Sequence, residues 1–205
     1  MMGLIGKKLE SVSIGTSLRL LRSTSGFLGL VGAAAVYVSV ISAPGASGVL
    51  GAGLALVMLA IAVIDWRSFI IPDWLSAAGT CLAIVYAAIQ EPDAMLQSVA
   101  TAVLRGAGLA LLFFALRYGY VRLRGRQGLG LGDVKLAFVA GAWLDWLTIP
   151  LAIQLAAFAA LSAYLLRQLV SGQSMSATNR MPFGLFLAPA IWICWLLEVR
   201  WLEGF

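Results

Sequence analysis

Apolar residues along this chain fall into long blocks, with polar residues gathered in the gaps between them. Seven blocks stand out, running approximately Phe27–Ala43, Val49–Ile64, Trp74–Ile89, Leu96–Leu116, Val134–Leu147, Pro150–Leu166 and Phe183–Leu202. They predict an all-α, polytopic membrane bundle of about seven transmembrane helices. Several are shorter than the roughly 20 residues of a free-standing span. Glycine and proline breaks separate them, and flanking tryptophans can seat them at the membrane interface. Only a few residues lie between the fifth and sixth blocks, which predicts a tight helical hairpin.

Ahead of the first block, residues 1–25 are polar and basic, with Lys7, Lys8, Arg19 and Arg22 beside Glu10. The stretch reads either as a weakly amphipathic helix on the membrane surface or as a cytoplasmic tail. It lacks the form of a signal peptide, because a long polar gap follows its basic residues. The organisation expected is therefore a basic segment over 1–25, an additional N-terminal span over 26–48 and a membrane domain over 49–205.

Charge orients the bundle. With the N-terminus inside, every Lys and Arg except Arg105, within a span, and Arg200, near the C-terminus, falls on the inner side. The outer loops hold Glu91, Asp93 and Asp145. This positive-inside pattern places Asp65 and Asp133 together at the cytoplasmic face. Asp145 and Glu198 fall towards the opposite face and are expected to be interfacial. Arg105 is expected to snorkel or to pair internally. Arg122, Arg124 and Arg126 fix topology and can meet anionic lipid.

Composition agrees and narrows the chemistry. Of 205 residues, 61% are hydrophobic and 11% charged, and the mean hydropathy is +0.96; soluble domains carry about 25% charged residues. The net charge of +5 belongs to the loops of a membrane protein and gives no reason to expect a nucleic-acid partner. There is no histidine, which excludes a histidine general base, a Ser-His triad and the commonest metal ligand. Cys81 and Cys194 lie singly in apolar stretches, so they read as buried free thiols and not as a zinc site. No metal and no cofactor are expected.

The remaining candidate chemistry rests on the two aspartates. Asp65 ends an apolar run in LALVMLAIAVIDWRSFIIPDWL, and Asp133 opens another in GLGLGDVKLAF after Gly128, Gly130 and Gly132. A carboxylate at the edge of a hydrocarbon layer is costly without a partner or a function. Two neighbouring carboxylates resist joint ionisation, so one keeps its proton. The ionised member can deprotonate water while the protonated member polarises a scissile carbonyl. Helix ends suggest a division of roles. Asp133, at a helix N-terminus with Lys135 nearby, is expected to be ionised, and Asp65, at a helix C-terminus, protonated. Asp73, after Pro72, is expected to cap the third span.

These residues resemble the type IV prepilin peptidases. IDWRSFIIPDWL is similar to that family's D-x6-P block, with Asp65 and Pro72 in place, and GLGLGDVKLAF to its GxGD block, with Gly130, Gly132 and Asp133 followed by Lys135. MPFGLFLAPA resembles the C-terminal P-F-G-P-F block through Pro182, Phe183 and Gly184, with Leu185 where the second proline usually stands. The resemblance covers about Val49 to Phe205. It implies a six-span aspartic protease core in the bacterial inner membrane, to which the first span is an addition. Its substrates would be prepilins or pseudopilins, cut at the cytoplasmic face between a short basic leader and an apolar helix. The cysteine-rich insert of the methyltransferase-bearing members is missing, so N-methylation is not expected of this compact form.

Three other readings stand beside it, one of them an inactive assembly subunit that keeps the fold, against which the presence of both carboxylates argues. A presenilin-like intramembrane protease would carry Tyr-Asp, whereas Ile64 precedes Asp65 here. A proton-coupled transporter could also use intramembrane carboxylates. Transporters often carry repeats with matching broken helices, and the two aspartate motifs differ in form and sit at opposite helix ends.

Overall fold

A bilayer interior offers no partner for backbone N–H and C=O groups, so a spanning chain satisfies them internally, as a helix or a closed barrel. Every long regular element among the described residues is an α-helix. The structure is a computed structural model that describes residues 26–125, 128–171 and 182–202. The basic segment expected over 1–25 lies outside the described residues, as do Arg126, Arg180 and Met181.

Seven α-helices follow one another: α1 Gly26–Ser42, α2 Gly45–Ser68, α3 Asp73–Gln90, α4 Met95–Arg124, α5 Leu131–Trp143, α6 Thr148–Ser171 and α7 Gly184–Leu197. A 3-10 turn, Pro92–Ala94, leads into α4, and a π-helical turn, Glu198–Leu202, closes α7. Four stretches are long and apolar enough to cross a membrane: Gly45–Ser68, Pro92–Arg124, Thr148–Val170 and Gly184–Trp201. The short connection expected between the fifth and sixth blocks is present over residues 144–147, but α6 packs on α7 and does not fold back along α5, so the tight helical hairpin expected there is not formed.

At 13 residues, α5 is too short to span lipid alone, and it does not have to. It packs against α3, α4 and α7, and Leu136, Ala137, Val139, Ala140 and Trp143 are buried among them. α2 packs on α3 and α7, and α6 on α7. Facing helices inside a bilayer gain little from hydrophobic exclusion, so close approach at small residues carries their association. Gly141 on α5 shows this: a Cβ there would fall 2.7 Å from the Arg105 carbonyl oxygen on α4. Gly51 on α2 makes room in the same way for the Trp195 ring. Trp143 stacks on Tyr86 with centroids 4.8 Å apart, and Trp195 meets both edge-on at 6.4 Å. Tryptophans are exposed near both ends of the bundle, Trp66 and Trp74 at one and Trp146 and Trp201 at the other.

α1 packs against α2, where Gly32 faces Leu56 and Leu59, and is tied to α7 by a Trp192 indole N–H donated to the Ser39 hydroxyl at 3.0 Å. Cys194 is buried as expected, whereas Cys81 lies on an outward face of α3.

The end of the bundle away from the aspartates carries its own polar cluster. Arg105 does pair internally, with Asp145. Glu198 lies at this end with Asp145 but is enclosed by protein: it is 8% exposed, accepting hydrogen bonds from the Thr148 hydroxyl and from the Asp145 backbone N–H. The turn between α5 and α6 curls over the end of α7, and that closure buries it.

Candidate active site

α2 carries Asp65 in its last turn and stops at Ser68. Phe69 then takes a left-handed conformation with φ 56°, and its N–H bonds the Asp65 carbonyl at 2.9 Å. Few non-glycine residues adopt that conformation. Here it reverses the chain, so Ile70 points outward at 64% exposure while Ile71 is buried at 6%. Pro72 follows as the N-cap of α3 in extended conformation, where its missing N–H removes no helical bond.

The second block shapes the start of α5. Gly130 is the N-cap, Leu131 and Gly132 follow, and Asp133 is the third helical residue. The Asp133 carboxylate folds back to accept the Gly130 N–H at 3.0 Å, the side-chain half of a capping box. Arg117 on α4 donates to the Leu129 carbonyl at 2.5 Å, fixing the glycine loop to its neighbour.

The third block completes the site. Gly184 begins α7, and the Leu185 N–H donates to Asp65 Oδ2 at 2.9 Å. Asp65 is thus placed near the C-terminal end of its own helix and against the N-terminal end of another. Each carboxylate therefore accepts an amide from the start of a helix, which favours negative charge, so the helix ends alone do not separate the two in the way expected.

One side chain joins the three blocks. A Cβ on Gly132 would fall 2.9 Å from Ile71 Cβ, and one on Gly184 would fall 2.8 Å from Ile71 Cδ1 and 2.8 Å from Asp65 Oδ2. Ile71 therefore fills the space that the two glycines leave. Asp65 and Asp133 are 5% and 9% exposed. Phe183 packs towards Phe113 of α4, 6.5 Å between centroids, and Pro182 immediately precedes it, half-buried.

Two expectations are corrected. Asp73 does not cap α3; it is that helix's first residue, and its carboxylate takes the Lys135 ammonium at 2.5 Å. Lys135 consequently faces α3 instead of serving Asp133. Neither Ile71 nor the Leu185 amide was singled out in sequence. Ile71 is indistinguishable there from Ile70, and a backbone N–H carries no side-chain signature. Among the described residues, no three His, Cys, Asp or Glu side chains converge as metal ligands would.

Fold and site define a class: an all-helical membrane bundle with two buried carboxylates at one end. The chain belongs to the type IV leader peptidase family, whose model matches residues 52–165, a stretch that holds both aspartates. It is 33% identical over 132 residues to the leader peptidase HopD of Salmonella typhimurium, covering 64% of this chain and 82% of that one. HopD of Escherichia coli is 31% identical over 126 residues, covering 62% and 78%. A prepilin leader peptidase/N-methyltransferase of Aeromonas hydrophila is 27% identical over 165 residues; the match covers 78% of this chain and 53% of that enzyme. No solved structure matches the chain.

Proposed function

We propose that this protein is an aspartic endopeptidase that removes the leader of type IV prepilin-like proteins at the cytoplasmic face of the inner membrane. Family membership supports the peptidase. The observation that carries the aspartic mechanism is the convergence of three distant blocks around Ile71, which brings two buried carboxylates together with a backbone amide on each.

In this reading one aspartate of the pair is ionised and takes a proton from water, whose oxygen attacks the scissile carbonyl carbon. The protonated partner donates to the carbonyl oxygen, giving a neutral tetrahedral diol. Collapse of the diol transfers a proton to the leaving nitrogen, breaks the C–N bond and releases leader carboxylate and a new amine. The pair titrates as a unit, so neither member has a fixed role in the free enzyme.

The test is processing of a prepilin-like substrate co-expressed in membranes with the wild type, Asp65→Asn and Asp133→Asn, read by mass spectrometry of the new N-terminus. Loss of cleavage in both variants, with insertion retained, is the expected outcome. Survival of cleavage in either would remove the paired-carboxylate mechanism. The same spectrum reports any added methyl group, and none is expected.

A further inference from the structure

One face of α4 holds the glycine loop that leads into α5. Arg117 donates to the Leu129 carbonyl at 2.5 Å. Three positions further on, the Tyr120 ring lies against Gly128, where a Cβ would fall 2.6 Å from Cε1. Residues three and four apart share a helix face, so Phe113, which packs towards Phe183, belongs to the same one.

The partner of Arg117 is the informative feature. Arg117 is half-buried, and among the described residues no carboxylate pairs with it. An arginine that only marks the cytoplasmic side can extend its head group into water. This one is fixed on a neutral carbonyl.

That carbonyl is half of a single peptide unit. The other half is the Gly130 N–H, which Asp133 Oδ2 accepts at 3.0 Å. A trans peptide points its C=O and N–H in opposite directions. A cation therefore stands at one end of the unit and a carboxylate at the other. Linked hydrogen bonds polarise one another where the local dielectric is low. The guanidinium draws electron density towards the carbonyl oxygen and makes the Gly130 N–H a stronger donor. A stronger donor favours the ionised form of Asp133. For Asp65 the corresponding unit is Gly184–Leu185, at the start of α7. Among the described residues, no side-chain cation bonds its carbonyl.

We propose that Arg117 is a positioning residue that holds the shared negative charge of the pair on Asp133, acting through the Leu129–Gly130 peptide. The proton then stays on Asp65. Asp133 takes a proton from the attacking water, and Asp65 donates to the scissile carbonyl. Arg117 touches neither water nor substrate, because the peptide stands between it and the carboxylate. This rests on the peptidase reading above and supplies an asymmetry that the helix ends alone do not.

The test compares leader removal by the wild type, Arg117→Lys, Arg117→Gln and Arg117→Met in membranes, with kcat and KM measured separately. Lysine keeps a charged donor, glutamine a donor without charge, and methionine neither. Arg117→Gln and Arg117→Met are each expected to lose roughly tenfold in kcat, the effect of one charge-assisted bond, with KM nearly unchanged. Arg117→Lys is expected to restore most of that loss. Tyr120→Leu, which loosens the same loop and keeps the charge, is expected to lose less than Arg117→Gln. Glutamine as active as lysine would show that charge is not needed and would overturn the proposal. So would full activity in Arg117→Met, or a loss in Tyr120→Leu as large as that in Arg117→Gln. Arg122 and Arg124 remain to orient the span, so all variants are expected to accumulate in the membrane. Failure of both neutral variants to do so, with Arg117→Lys accumulating, would make Arg117 a determinant of insertion and overturn the proposal. A wild type that leaves the substrate whole would instead sink the peptidase reading itself.

Discussion

Leu185 illustrates how a departure from a motif can be read only in three dimensions. In sequence it replaces the proline usual in the resembling block; in the structure its N–H binds Asp65, a bond that proline cannot donate. Leu185 is the second residue of α7, where proline is tolerated because first-turn amides have no helical acceptor. Leu185→Pro is therefore expected to insert normally and to lower kcat by about three- to tenfold, as followed by the rate of leader removal. Gly184→Ala acts more severely, since the new methyl meets both Asp65 and Ile71. Cleavage should drop at least about tenfold, the loss a misplaced catalytic group brings, in protein that still accumulates in the membrane. Ile71→Ala opens the opposite defect: a cavity costing about 2–5 kcal/mol, visible as a lower thermal unfolding temperature in detergent.

Helix order was legible because the hydrophobic runs are long and their breaks abrupt, and the positions of Asp65 and Asp133 near span boundaries followed directly. Other features were hidden for physical reasons. The inward turn of Ile71 depends on a left-handed Phe69 that no glycine announces. The buried state of Glu198 depends on the α5–α6 turn folding over α7, a contact 53 positions away in sequence. Asp73 and Lys135 were each assigned to a local role, and the structure paired them across 62 positions, from α3 to α5. That pair is exposed, 47% for the lysine side chain and 80% for the aspartate. It should contribute less than about 1 kcal/mol. A double-mutant cycle on Lys135→Ala and Asp73→Ala, scored by thermal unfolding at low and high salt, should show a small coupling that salt abolishes.

Across the whole bundle, two polar clusters occupy opposite ends and have separable duties. The end bearing Asp65 and Asp133 holds the proposed active site. At the other, Glu198, Thr148, Asp145 and Arg105 bind α4, the α5–α6 turn and α7 together. Glu198→Ala would leave the Thr148 hydroxyl and the Asp145 N–H without their acceptor, a loss of about 1–3 kcal/mol. Thermal unfolding should fall accordingly, while the cleavage rate measured well below that temperature stays near wild type. Glu198→Gln keeps an acceptor oxygen and should cost less.

The bond from Leu185 to Asp65 spans 120 positions, and this has a consequence for biosynthesis. A membrane protein enters the bilayer in chain order, so Asp65 and Asp133 are both inserted well before α7 emerges. Until then Asp65 lacks its amide donor and Ile71 lacks one of the two glycines it fits between. A nascent chain halted before Gly184 would hold both carboxylates in the membrane without the Leu185 amide, so under the proposed mechanism proteolytic competence arrives only with the seventh helix.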